Sequence, residues 1–309
     1  MTNQTKGISK IWFTLSQLFA RSALKFPKIR HLLVLARLDK PIGIYLLLWP
    51  TYWGLWFAAE GFPGWHLFLV FTVGTILTRS AGCVINDIAD RNFDKKVKRT
   101  QLRPLTQGHL SLADAVSFLA LLMFFALLLV LTTNYLTLGL AFIATIIAGI
   151  YPLMKRYTYL PQVVLGVAFS FGIPMAFAAV QGEIPNIAWV LMIANIIWTV
   201  AFDTEYAMVD RDDDIKLGLK STAILFADMD KIIIGILQTL FLIILLMLVQ
   251  LVDLDWPFYL GLVVAASLLF YQQVLIRNRE REDCFKAFLN NHWVGLSIFM
   301  GIFIQFTFL

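Results

Sequence analysis

The sequence predicts an all-α protein, a polytopic membrane bundle of about nine transmembrane helices. Composition is the first reason: 59% of the 309 residues are hydrophobic and 15% charged, and mean hydropathy is +0.76, outside the range of soluble domains. The second is length, because apolar runs recur from residue 41 onward, each near the roughly 20 residues that cross a bilayer. Lipid offers the backbone no water, so such runs must close their hydrogen bonds internally, as helices. Charge asymmetry is the third, since all 25 Lys and Arg residues fall on one side of a nine-span path.

The expected spans are 41–60, 66–86, 112–132, 136–152, 160–181, 187–207, 231–251, 256–276 and 293–309. Loops 61–65, 133–135, 182–186 and 252–255 hold no Lys or Arg, whereas eight cations precede residue 41 and six lie in 91–103. Positive residues stay inside, so the N-terminus is expected in the cytoplasm and the C-terminus outside. The net charge of +5 therefore reports topology and contact with a lipid surface, and no nucleic-acid partner is expected. Residues 1–40 are expected to be a cytoplasmic segment in which 11–20, apolar but too short to span, lie at the interface. Residues 41–309 are expected to form one transmembrane domain, with 87–111 and 208–230 placed to cap a site. Cys83 lies in a span and Cys284 in a cytoplasmic loop, so no disulfide framework is expected.

Taken in order, Pro41 suits the start of the first span, and Pro50 interrupts it. Trp49, Trp53 and Trp56 form a stripe at helical spacing, suited to packing or to lining a path for an apolar tail. In the second span Arg79 precedes Asn86 by seven residues and shares its face. A charge inside a span is costly and usually functional, although near a helix end it can snorkel. Asn86, Asp90 and Asp94 then recur every four residues along one face. Like charges one turn apart repel, and a divalent cation turns that repulsion into a site; oxygen ligands favour Mg²⁺. Basic residues follow at Arg91, Lys95, Lys96, Lys98, Arg99 and Arg103, so metal-binding carboxylates adjoin phosphate-binding cations.

Ser111 stands three residues before Asp114, a capping-box start for the third span. Lys155 and Arg156 close the fourth, Pro161 opens the fifth, and Gly166, Gly172 and Pro174 allow the fifth to pack closely or bend. The sixth ends in Asp203, Glu205, Tyr206, Asp210, Asp212, Asp213 and Asp214. Asp203, Asp210 and Asp214 share a face. A calcium loop is excluded, because the closing position is Ser221 and the glycine falls at 218.

Two acidic faces thus end the second and sixth spans, which run in the same direction. That arrangement suggests a parallel internal duplication and two cations clamping one diphosphate. A cation-coupled transporter also carries intramembrane acids, but these sit at helix ends beside basic loops rather than mid-membrane.

The motifs Asn86-x-x-x-Asp90-x-x-x-Asp94 and Asp210-x-x-x-Asp214 resemble those of the UbiA superfamily of intramembrane prenyltransferases. The resemblance extends over nearly all the chain after about residue 33, through Arg37–Gly43, Arg103-Pro104-Leu105, Tyr151–Arg156 and Lys220–Ala223. Within the superfamily, Leu48–Thr51, Ile173–Phe177 and the 203–214 run are similar to the branch that prenylates 4-hydroxybenzoate for ubiquinone. The resemblance implies a bundle around a central cavity opening to the cytoplasm, in a bacterial inner membrane. It implies Mg²⁺ held by Asp90, Asp94, Asp210 and Asp214 with Asn86 assisting, a polyprenyl diphosphate donor and a 4-hydroxybenzoate acceptor. Arg91, Lys98, Arg99, Lys155 and Arg156 are then candidates for the diphosphate. Arg37, Arg79 or Arg156 is the candidate for the acceptor carboxylate, Asp203 or Asp210 for proton acceptance, and Tyr206 for substrate contact. Sibling enzymes of menaquinone, haem O or chlorophyll synthesis share the metal motifs and remain alternatives.

Overall fold

A computed structural model describes residues 27–95 and 100–309, with Pro27, Phe93 and Asp94 described as backbone only. The interfacial helix expected at 11–20, together with Lys96, Lys98 and Arg99, lies outside the described residues. Within them there are twelve α-helices: α1 (Pro27–Leu35), α2 (Ile42–Ala59), α3 (Trp65–Asp94), α4 (Leu112–Val130), α5 (Tyr135–Tyr157), α6 (Pro161–Ser170), α7 (Gly172–Gln181), α8 (Asn186–Leu217), α9 (Thr222–Phe226), α10 (Asp230–Leu248), α11 (Trp256–Leu275) and α12 (Arg281–Phe308). They supply nine stretches long and apolar enough to cross a membrane, with α6 and α7 making one and α9 and α10 another.

The capping box forms as its sequence predicts, Ser111 and Asp114 exchanging side-chain and backbone hydrogen bonds at the start of α4. The fifth span breaks between α6 and α7, where Gly172 lets α2 approach; a Cβ there would collide with the Thr51 hydroxyl.

Several helices outrun their expected spans. α3 continues to Asp94 and α8 to Leu217, while the ninth span begins at Arg281 rather than near 293. Apolar composition marks only the stretch in lipid, whereas the helical hydrogen-bond ladder continues into the polar interface for as long as the residues allow. α8 stops at Gly218, whose positive φ of 68° caps it.

Burial separates inner from outer helices. In the most apolar window, 72% of residues are buried for α2 and 67% for α8, against 11% for α4 and 17% for α5. With the exposed faces of α4 and α5 as apolar as the core, including Phe124, Phe125, Phe142 and Ile146, lipid is the medium they fit. The stripe on α2 is mostly core. Trp53 is wholly buried against Trp198 and Phe241, and its indole N–H donates to the Gly295 carbonyl at 3.1 Å.

Candidate active site

The last turns of α3 present Asp87 and Asp90 on neighbouring sides, both almost fully buried. Asp90 Oδ2 pairs with Lys155 Nζ, and Oδ1 lies 3.8 Å from Arg156 Nη2. Both cations occupy the final turn of α5, where they also favour the helix dipole. Arg156 donates to the Ala89 carbonyl at 2.7 Å. The Lys155 carbonyl accepts from the Lys220 N–H at 2.9 Å, and Lys220 Nζ donates to the Tyr157 carbonyl at 3.2 Å. The end of α5 therefore ties α3 to the segment that follows α8.

Asp87 was not among the residues singled out from sequence, yet it too is paired with two cations. Arg37 approaches it at 3.1 Å and Arg103 at 2.9 Å, joining the turn before α2 and the 100–110 segment to α3. The left-handed backbone of Arg37, φ 59°, turns the chain at this point. Both arginines lie in motifs quoted for the family resemblance, but no local spacing reveals which acid they meet.

Deeper on α3, Arg79 packs against Gly43, where a Cβ would come within 2.5 Å of Nε and Nη2. Its Nη1 donates to the Cys83 sulfur at 2.7 Å, its guanidinium lies 5.8 Å from the centre of the Phe169 ring, and its Nε is buried without a hydrogen-bond partner. Opposite, α8 buries Asp203 and carries Tyr206, which stacks obliquely on Phe288 at 4.7 Å. Tyr151 of α5 stands within electrostatic reach of Arg79 and Asp90 on α3 and of Asp203 and Tyr206 on α8. Asp203 in turn feels Arg79 and Asp210. Tyr151 is thus within reach of both acid-bearing helices, although sequence reading quoted it in a motif but assigned it no task.

Arg79 and Tyr151 line a cavity of about 560 Å³ between α2, α3, α4, α5, α6 and α7. Its other walls are mostly apolar, with Val70, Phe71, Leu127, Phe142 and Phe169 among them. Such a cavity suits a long hydrocarbon chain with a polar end held near Arg79.

A divalent cation fits the residues present. The buried Asp90 Oδ1 has no hydrogen bond, and hard carboxylate oxygens are the ligands Mg²⁺ takes. It usually binds through one or two carboxylates plus substrate phosphates rather than in an all-protein cage. Accordingly, no group of three or more His, Cys, Asp or Glu side chains gathers among the described residues, which do not include the Asp94 side chain. Asn86 is half-buried on the same helix, and Arg91 is exposed one residue past Asp90.

The fold describes an integral membrane protein with nine apolar helical stretches among the described residues and a polar cluster near the end of α3. The UbiA prenyltransferase family model matches residues 47–299, and the chain belongs to that family. It is 57% identical over 272 residues to a 4-hydroxybenzoate octaprenyltransferase of Aeromonas hydrophila, covering 88% of this chain and 95% of the relative. With the enzyme of the same name from Colwellia psychrerythraea it shares 54% over 273 residues, again covering 88% and 95%. Among solved structures, the apo UbiA homolog of Aeropyrum pernix K1 superposes with a TM-score of 0.75 at 23% identity, over 85% of this chain and 97% of that one. A UbiA homolog of Archaeoglobus fulgidus bound to GPP and Mg²⁺ gives 0.66 at 16% identity, over 87% and 99%. These relatives do not favour the transporter alternative.

Proposed function

We propose that the protein transfers a long-chain polyprenyl group from polyprenyl diphosphate to the ring carbon ortho to the hydroxyl of 4-hydroxybenzoate. The reaction is Mg²⁺-dependent and takes place at the cytoplasmic face of a bacterial inner membrane. The carrying observation is the apolar cavity that reaches Arg79 of α3 and Tyr151 of α5, in a chain more than half identical to relatives of that name. Segments 87–111 and 208–230 form the cap over the site.

In this reading the allylic C–O bond to the diphosphate breaks, a bond forms between that carbon and the ring, and diphosphate and the ring proton leave. Asp90, Asp94, Asp210 and Asp214, with Asn86 assisting, would hold Mg²⁺, which when bound would supply charge neutralisation for the departing diphosphate. Lys155, Arg156, Arg91, Lys98 and Arg99 contact its oxygens. Of the three arginines considered for the acceptor carboxylate, Arg37 is engaged by Asp87 and Arg156 by Ala89 and Asp90. Arg79 lines the cavity and keeps an unpaired Nε, which favours it. Of Asp203 and Asp210, the burial of Asp203 within reach of Arg79 and Tyr151 supports it as the acceptor of the phenol proton, with Tyr206 as the contact to the ring. The apolar walls keep water from the allylic cation.

Membranes containing the protein are expected to attach radiolabelled prenyl groups to 4-hydroxybenzoate with Mg²⁺ and to lose the activity in EDTA. A panel of acceptors separates this reading from the menaquinone, haem O and chlorophyll siblings. Transfer to one of their acceptors, and none to 4-hydroxybenzoate, would refute it.

A further inference from the structure

On the side of α8 opposite Asp203 lies a second intramembrane acid, Glu205, with 0% exposure. Two residues along a helix turn about 200° around its axis, so the two carboxyls face different neighbours. Glu205 is twelve residues before the end of α8, about 18 Å from it at the helical rise.

A buried carboxyl at that depth is costly and is retained for a reason. Its hydrogen-bond partners are all neutral. Oε2 accepts from Asn291 Nδ2 at 2.9 Å, and Oε1 accepts from Gln238 Nε2 at 3.3 Å. Behind them Gln238 Nε2 also donates to Gln272 at 2.9 Å, Gln273 Nε2 donates to Gln238 at 2.9 Å, and Gln272 Nε2 donates to Asn290 at 3.0 Å. Trp198 Nε1 donates to Asn291 Oδ1 at 2.9 Å. An indole N–H only donates, so Asn291 must turn its oxygen to Trp198 and its nitrogen to Glu205. The network therefore has a fixed sense at this point, and it joins α8 to α10, α11 and α12.

We propose that Glu205 is a positioning residue for prenyl transfer: through this amide network it sets the rotation of α8 that turns Asp203 and Tyr206 toward Tyr151 at the chamber wall. The effect is selective along the helix, because the cytoplasmic end has a separate anchor. There Arg211 meets Asp230 at 3.3 Å, and Asp230 meets Arg279 at 2.8 Å. Loosening the network should therefore disturb the acceptor side, around Asp203 and Tyr206, more than the diphosphate side, around Asp210 and Asp214. The proposal rests on the function given above.

The test compares the full chain with its Glu205→Leu and Glu205→Gln variants in liposomes, measuring KM for donor and acceptor separately. Leucine removes both acceptor oxygens, leaving Gln238 Nε2 to Gln272 and Asn291 Nδ2 to the Ala287 and Phe288 carbonyls, so both ties made by Glu205 are lost and KM for 4-hydroxybenzoate is expected to rise about tenfold or more. KM for the donor should stay within about twofold, and glutamine, which keeps one carbonyl for Asn291, should restore most of the acceptor affinity. An unchanged acceptor KM in Glu205→Leu would overturn the proposal. So would equal rises in both KM values that glutamine fails to rescue, since a merely structural role predicts that. If the wild-type chain proves inert with 4-hydroxybenzoate, the assigned reaction fails instead. The positioning claim is then decided by thiol alkylation of Tyr206→Cys from the chamber side, which should slow several-fold when Glu205→Leu is added and which overturns the claim if it does not.

Discussion

The acids of α3 and those of α8 meet burial differently. Asp87 and Asp90, near the C-terminal end of α3, are each covered by two cations drawn from elsewhere in the chain: Arg37 and Arg103 for one, Lys155 and Arg156 for the other. Asp203, deeper on α8, has Arg79 within electrostatic reach, and Glu205 is held by side-chain amides. The cost of removing a charge from water grows with depth. The acids near the end of α3 therefore sit among paired cations. Deeper on α8, where a charge costs more, a carboxyl is held by neutral donors. Depth sorts the partners.

The sharpest way to break this comparison is at the shallow end. Asp90→Ala and Asp210→Ala should each reduce prenyl transfer by about a thousandfold or more, since removing charge stabilisation from a diphosphate site costs at least about 4 kcal/mol. Both proteins should remain in the membrane, as a flotation assay would verify. At the deep end, Arg79→Met should raise KM for 4-hydroxybenzoate by about 10- to 100-fold, the worth of hydrogen bonds to a charged group. A donor KM that rose equally would place Arg79 on the diphosphate instead.

Stability sharpens the contrast between buried and exposed pairs. Asp87→Ala should cost about 2–3 kcal/mol in thermal or denaturant unfolding, because two arginines lose their partner in a nearly closed site. Asp212, whose side chain is 70% exposed where it meets Arg281, should cost below about 0.5 kcal/mol when replaced by Ala.

The smallest effect concerns pH. His31 of α1 stacks on His109 at 4.5 Å, and burial, then His109, then Arg30 hold its pKa below the usual 6.5. The unfolded chain thus binds that proton more readily, so this contact's stability is fully present above about pH 6.5 and is lost as pH falls through the folded value. His31→Phe should flatten the acid side of the stability profile without changing it at pH 8.

Hydropathy and the positive-inside rule disclose the number and order of the spans because both depend on local composition. The acid faces at 86–94 and 203–214 were legible for the same reason: a helix places every fourth residue together. Partnerships across the bundle were not. Arg37 and Asp87 are 50 residues apart and Lys155 and Asp90 are 65, and nothing in either neighbourhood names the other. Gln238, Gln272 and Gln273 look like scattered polar residues in apolar spans. Only packing shows that they gather around one carboxyl. Their one sequence signal is the rarity of amides and acids in lipid-spanning stretches, which asks where each finds a partner.

The central claim is that α3 and α8 grip one diphosphate through divalent metal. The most direct test is anomalous diffraction from crystals of the protein grown with Mn²⁺ and an unreactive prenyl diphosphate analogue. The account predicts metal density bridging Asp90 and Asp210 to the same diphosphate, with its tail in the cavity beyond Arg79. Metal bound at only one of the two helices, or a diphosphate seated away from both, would contradict it.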